Sequence, residues 1–411
     1  MTVAAAADEA ALPLAGIRVL DFGHTVMGPS CGLVLADLGA DVVRIEPPGG
    51  DRTRRLPGFA IGFFGSFNRN KRSVCIDLKQ PEGRDIVHRL MGEADVVIEN
   101  FAPGVMERLG LGWEDARAIN PRLVYCALKG YLPGPYEHLP ALDEVVQMQA
   151  GLAYMTGPPG RPLRAGASVV DLFGGVFGVV AILAALRDRD RTGMGQLVRS
   201  ALFESTAFLV TQHMAASAMV GHPVPPMPGR RGAAWCIYDV FEAADGPVFI
   251  GVTSEAHWLR FCQAFPIDDL RDDPGLATHD QRVAQKPRLI ERLGALFATI
   301  AVDTILERCR AALIPCAPVA RPDQLFDDPH LNAEGGLLDV DLRPDLRARL
   351  PALPIEMAGA RPGLRMQPPA AGADTRAVLA AAGVDPLEIE RLAAAGILDL
   401  GAVGGSRSAA E

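Results

Sequence analysis

Asp143 stands where a loop full of breakers meets an apolar stretch of helical character. The loop, KGYLPGPYEHLP (129–140), holds Gly130, Pro133, Gly134, Pro135 and Pro140, too many for a helix or a paired strand. The stretch ALDEVVQMQAGLAYMTG (141–157) reads as a helix that begins at Asp143. A carboxylate at such a start lies beside unpaired backbone N–H groups and the positive end of the helix dipole. It is held ionised there and aimed into whatever the loop encloses. The same residue is equally an ordinary N-cap, a role Asp fills very often. On these residues alone both readings stand.

Other groups with chemical potential fall where strands end. Asn68 to Arg72 lie close to one strand, Asn100 and Phe101 follow another, and Lys129 follows a third. Lysine occurs only at 71, 79, 129 and 286, and three of those four lie in the first third of the chain. That clustering points to an anionic ligand, although a solvated surface explains each residue singly. His24, after the first strand, reads as a packing or turn residue with a catalytic role as the alternative. Asp171, at the start of a glycine-bearing apolar helix, reads as another plain N-cap. Arg230 and Arg231 are either solvated or reach a substrate carboxylate.

Several chemistries are set aside. The turn Gly23-x4-Gly28-x3-Gly32 is neither GxGxxG nor a Walker A motif, so Glu46 alone does not support dinucleotide binding. The eight histidines form no HExxH and no close pair, so no metal site is expected. No GxSxG nucleophile elbow is present. Seven cysteines, scattered and without CxxC, indicate reduced thiols in a cytoplasmic protein. A net charge of −9 argues against general nucleic-acid binding. No run of about 18 apolar residues predicts a membrane span, and residues 1–11 read as a loose tail rather than a signal peptide.

The elements that must position these groups alternate through residue 130. IRVLDF (17–22) is a strand, GHTVMGPSCG a turn, CGLVLADLG (31–39) a helix and DVVRIEPPGGD (41–51) a strand and loop. FNRNKRSVCIDLKQPEG (67–83) is a basic turn, the strand SVCIDL and a helix opening at Pro81. ADVVIEN (94–100) and VYCAL (124–128) are further strands. This alternation predicts an α/β doubly wound sheet with ligands beyond the carboxyl ends of its strands. SVVDLFGGVFGVVAILAALR (168–187) is a long apolar helix, 189–198 a turn, and Val198 to Met219 is again helical. Residues 221–235 read as a Pro/Gly-rich linker, and CIYDVFEAADGPVFIGV (236–252) as a hairpin around Asp245–Gly246. Helices at 254–265 and 282–299 complete a compact α+β unit ending near 326. Short strands, a Pro-rich stretch and a last helix at 386–395, capped by Asp385, follow. The expected domains are 1–220 as the first part of a large domain, 236–326 as a small domain, and 327–411 as the return to the large one.

These segments together resemble the class III CoA-transferases, a family that also includes the α-methylacyl-CoA racemases. The resemblance rests on LAGIRVLDFGHTVMGP (14–29), DLGADVVRIEPPGGD (37–51), NRNKRSVCIDLKQPEG (68–83), ADVVIENFAPGVMERLG (94–110), LKGYLPGP (128–135) and DEVVQMQAG (143–151). Weaker matches at RTGMGQLVRSALFE (191–204), LIPCAPV (313–319) and VLAAAGVDPLEIERLAAAGIL (378–398) carry it along nearly the whole chain. It implies a Rossmann-like large domain built from both chain ends, a smaller inserted α+β domain, and an interlocked homodimer. It implies Asp143 as the nucleophile. Contacts to coenzyme A would come from Val26, Met27, Phe67, Asn68, Arg69, Asn70, Lys71, Asn100, Phe101, Ala102, Arg108, Lys129, Gly130, Tyr131 and Leu132. Acyl-CoA and a carboxylic acid acceptor are the implied partners, with coenzyme A as substrate and no tightly bound cofactor.

Two departures narrow the expectation. The formyl-CoA transferases have a glycine run where this chain reads PGRRGAAW (228–235), which argues against formyl or oxalyl transfer. The racemases place histidine immediately before the aspartate, whereas Leu142 stands here, although Asp171 matches their second acid/base position. The wording LPGPYEH and ALDEVVQM resembles transferases for C4–C5 dicarboxylates, with transfer between two acids or within one. The alternatives are an acyl-CoA racemase or isomerase using Asp171, and a non-catalytic CoA-binding protein.

Overall fold

Short runs of β-branched and apolar residues, each handing over to a turn and a helix, set the pattern of the larger of two units. The computed structural model describes residues 12–227, 234–343 and 345–401. The loose tail assigned to 1–11, Arg230, Arg231 and most of the PGRRGAAW stretch lie outside the described residues. Six strands form the parallel part of the sheet: β1 (Arg18–Asp21), β2 (Asp41–Glu46), β3 (Lys71–Ile76), β4 (Val96–Glu99), β5 (Val124–Lys129) and β6 (Leu197–Ala201). Their order is β3-β2-β1-β4-β5-β6, and the short segment Leu398–Asp399 adds an antiparallel edge beside β3. The order reverses between β1 and β4. In such sheets a crevice opens there, beyond the carboxyl ends of the two strands.

Helices cover both faces, which is why the central strands are buried runs rather than alternating ones. One face packs Ile86, Val87 and Leu90 of the helix Pro81–Glu93 against Leu20, Val43, Val74 and Val97. The other packs α1 (Met27–Asp37) and the 24-residue helix Val169–Thr192 against Val19, Val42, Ile98 and Cys126. Gly174, Gly175 and Gly178 make that packing possible. A Cβ at Gly175 would stand 2.4 Å from Ser30 Oγ and 2.8 Å from the Met27 carbonyl oxygen. The helix is long and apolar enough to cross a membrane. Here its glycine face is buried against α1 and β5. The seven cysteines are free thiols, all but Cys316 buried.

Four local expectations change. α1 starts at Met27 rather than Cys31, and Pro29 is tolerated because it lies in the first turn. β3 starts at Lys71, not Ser73, so Lys71 pairs with Val42 inside the sheet instead of standing on a basic turn. The helix from Asp143 stops at Gln149, because Gly151 adopts a φ of 87°. The span Val198–Met219 is not one helix. Leu197–Ala201 is the sixth strand, and two helices, Leu202–Leu209 and Thr211–Val220, follow it.

The smaller unit comprises 153–163 together with 212–327. Strands β7 (Ile237–Ala243), β8 (Gly246–Val252) and β9 (Cys316–Pro318) form its antiparallel sheet. Phe261, Leu289, Phe297 and Ile305 from three helices fill its core. The segment 153–163 is tied in by Tyr154, whose hydroxyl donates to the Val224 carbonyl, and by the Met227 N–H, which donates to Met155.

Candidate functional site

The crevice is built by clamping two loops together. Asn100, just past β4, accepts the His24 N–H at 2.8 Å through Oδ1 and donates through Nδ2 to the His24 carbonyl at 3.0 Å. Gly28 permits this approach, since a Cβ there would lie 2.5 Å from Gly23 Cα. A cavity of about 280 Å3 results, walled by His24, Val26, Met27, Asn100, Phe101, Ala102, Lys129, Gly130, Asp143 and Asp171. Burial pushes the His24 imidazole below its ordinary value, and its Nδ1 is buried without a hydrogen-bond partner among the described residues.

Asp143 is the first residue of α2 (Asp143–Gln149), and Leu142 holds the N-cap position. It does not cap its own helix. Its Oδ2 accepts the N–H groups of Val170 at 2.9 Å and Asp171 at 3.1 Å. Both belong to the first turn of α3 (Val169–Thr192), whose own N-cap, Ser168, makes no side-chain capping bond. The carboxylate therefore meets orphan N–H donors at the positive end of a long helix dipole. Its Oδ1 accepts from Nε2 of Gln147, one turn further along α2. Gln147 is fully buried, and its Oε1 accepts the Ala165 N–H at 2.8 Å.

A second carboxyl shares the cavity. Burial, and then the charges of Asp143 and Glu144, push Asp171 up to about 7. Glu144 itself is ion-paired with Arg164. The pair thus sets a carboxyl group held by three hydrogen bonds beside one raised to about 7. Such a couple can deliver a carboxylate nucleophile next to a group able to hold a proton.

The cations expected to meet an anionic ligand are distributed otherwise. Lys71 Nζ is fully buried and donates to Asp21 Oδ2 at 2.8 Å, the Pro29 carbonyl at 2.8 Å and Asn68 Oδ1 at 3.1 Å. Burial lowers its pKa, while Asp21 raises it. Arg69 and Asn70 both bond to the buried Asp37. Because Asp21 Oδ1 accepts the Gly23 N–H, this network braces the turn between β1 and α1 from behind. Lys129 Nζ meets Glu99 at 2.6 Å and the Phe101 carbonyl at 2.9 Å. Phe67 is half-buried, and Arg108 is exposed. Tyr131 donates to Gln149 Oε1 at 2.6 Å, and the Leu132 N–H donates to Glu204 at 3.2 Å. Phe67 to Lys71, Arg108, Tyr131 and Leu132 are not among the residues that wall the cavity of Asp143.

Sequence reasoning passed over Gln147, Glu99 and Asp21. Gln147 left a usable signal, since it lies four residues after Asp143 and so on the same helix face. Glu99 and Asp21 left none, because their partners Lys129 and Lys71 are 30 and 50 residues away.

Comparison with known proteins identifies similar chains. A family model described as CoA-transferase family III matches residues 14–375. A succinyl-CoA:mesaconate CoA-transferase of Haloarcula hispanica is 37% identical, covering 79% of this chain and 85% of its own. A succinate–glutarate CoA-transferase of Agrobacterium fabrum is 34% identical, covering 87% and 92%. Among solved structures, a CAIB/BAIF family protein from Brucella suis superposes with a TM-score of 0.82 at 30% identity, covering 90% of this chain and 99% of that one.

Proposed function

The chain belongs to CoA-transferase family III, and from that premise we propose that it moves coenzyme A between carboxylic acids through covalent intermediates on Asp143. The observation that carries this reading is the Asp143 carboxylate, buried and fixed by three hydrogen bonds in a cavity wall. Attack on an acyl-CoA thioester gives an aspartyl–acyl anhydride and CoA thiolate. The thiolate then attacks the aspartyl carbonyl, which releases the first acid and leaves CoA on Asp143. An acceptor acid reverses both steps.

In this reading Val26, Met27, Asn100, Phe101, Ala102, Lys129 and Gly130 line the path of the thioester. Arg108, exposed on the helix Val105–Arg108, is offered to the CoA phosphates. Phe67 to Lys71, Tyr131 and Leu132 support the walls. The acids are C4–C5 dicarboxylates such as succinate, mesaconate or itaconate, a class supported by the succinyl, mesaconate and glutarate in the names of the relatives. The working unit is a homodimer, which would cover the apolar side chains that α2 and α3 leave exposed at Val145, Met148, Val176 and Val180. The test is incubation with succinyl-CoA and a panel of acids, with products read by mass spectrometry. Appearance of the new thioester supports the reading, and its absence with every acid defeats it.

A second reading, proton exchange at the α-carbon of an acyl-CoA, is favoured by Asp171 alone. It needs groups on opposite faces of that carbon, and Leu142 cannot move a proton. In D2O, with a 2-methylacyl-CoA and no acceptor, the transferase leaves the α-proton in place. Rapid exchange that is lost in Asp171→Asn but survives in Asp143→Ala would reverse the assignment.

A further inference from the structure

The two oxygens of Asp143 are not equivalent. A carboxylate has about four lone-pair sites, two on each oxygen. Both sites on Oδ2 are taken by the N–H groups of Val170 and Asp171. Among the described residues Oδ1 has one partner, Nε2 of Gln147, and so keeps one site for an electrophile. Gln147 has little freedom of its own. It is fully buried, and the Ala165 N–H holds its Oε1, which turns its NH2 toward Asp143.

We propose that Gln147 is a positioning residue of the transfer, fixing Oδ1 of Asp143 as the attacking atom while Oδ2 stays in the two N–H groups of α3 as the carbonyl oxygen of the acylated aspartate. This rests on the reading of Asp143 as nucleophile and adds the division of labour between its oxygens. In the first step a lone pair of Oδ1 forms the bond to the acyl carbon as the C–S bond breaks, and CoA thiolate leaves with the electron pair. In the second step the thiolate attacks Cγ of Asp143. The C=O pair moves onto Oδ2, where the Val170 and Asp171 N–H groups meet the developing charge. The pair then returns, the Cγ–Oδ1 bond breaks, and Oδ1 departs within the released carboxylate. The acceptor acid later supplies the replacement oxygen, so no other reactant is required. Gln147 serves both halves, because the bond it donates to Oδ1 also steadies that oxygen as it leaves.

Three full-chain variants test this. Gln147→Leu fills the space and removes the donor. Its kcat should fall about 10- to 100-fold while KM for acyl-CoA stays within about twofold. The acid limb of its pH–rate profile should move to higher pH, since a carboxylate that has lost a donor is more easily protonated. The titratable groups around Asp143 are Glu144 with Arg164 on and beside α2, Asp171 on α3, Glu204 on Leu202–Leu209, and His24, Lys129 and Glu137 in the cavity wall; the charges Arg187 to Arg191 lie at the far end of α3. None of them is altered. Gln147→Glu can donate only when protonated, so its activity should rise on acidification, opposite to wild type. Asp143→Ala separates the two claims: retained transfer there defeats the nucleophile assignment itself. If Asp143→Ala is inactive but folded Gln147→Leu keeps the wild-type kcat, or loses rate with its acid limb unmoved, the positioning role is overturned. Should Gln147→Leu not fold, Gln147→Glu decides, and a wild-type pH profile in it overturns the role.

Discussion

Replacing Asp171 by Asn should make the protein's stability less sensitive to alkali, by an amount the site itself sets. Burial first, and the charges of Asp143 and Glu144 next, raise this carboxyl from 3.8 to about 7. In the unfolded chain it titrates at its ordinary value. Between those two values the native state therefore holds a proton that the unfolded state has lost. Stability falls as pH rises through that window and levels off above the folded value. From about pH 5.5 up to about 7 is roughly 1.5 units, or about 2 kcal/mol at 1.36 kcal/mol per unit. The Asp171→Asn protein has no such proton and lacks that slope. Urea unfolding of both proteins at about pH 5.5 and about pH 8.5 isolates the effect, because every other titrating group is common to the two. The gap in unfolding free energy should grow by about 2 kcal/mol in favour of Asp171→Asn at the higher pH. Parallel pH dependences would refute the reasoning, since they would mean that folding does not raise the Asp171 carboxyl above its ordinary value.

Lys71→Ala should lower stability by about 3 kcal/mol in urea unfolding, because it removes the close partner of the buried Asp21 carboxylate and leaves it only Arg44, 3.8 Å away, as a counter-charge. In contrast Arg108→Ala should leave stability alone and raise KM for acyl-CoA by about tenfold. A stable Lys71→Ala protein with a raised KM would instead make Lys71 a direct phosphate contact. Sedimentation should show a dimer that persists on dilution, and a monomer at micromolar concentration would rule out the interlocked arrangement.

Legibility in the sequence follows how local each cause is. The first strand–turn–helix–strand unit is readable because glycines and proline mark the turn and β-branched runs mark the strands. β6 is not, since Leu197–Ala201 passes into the next helix with no breaker between them. Lys71 and Arg72 look like a solvated turn. Only the pairing of β3 with β2, and an aspartate 50 residues away, show that a lysine can be buried in a strand there. Asp143 is visible as a carboxylate at a helix start, but the helix whose dipole it meets is α3, not its own. That partner is a tertiary neighbour 27 residues on, which no local pattern encodes.

The central claim is a covalent bond to Asp143, and the most direct measurement is the mass of the peptide that contains it. With succinyl-CoA and no acceptor acid, the account predicts an adduct on that peptide, convertible by hydroxylamine to the hydroxamate, and none in Asp143→Ala, which should be inactive while still binding CoA. An unmodified peptide during active turnover, together with transfer surviving in Asp143→Ala, would contradict it.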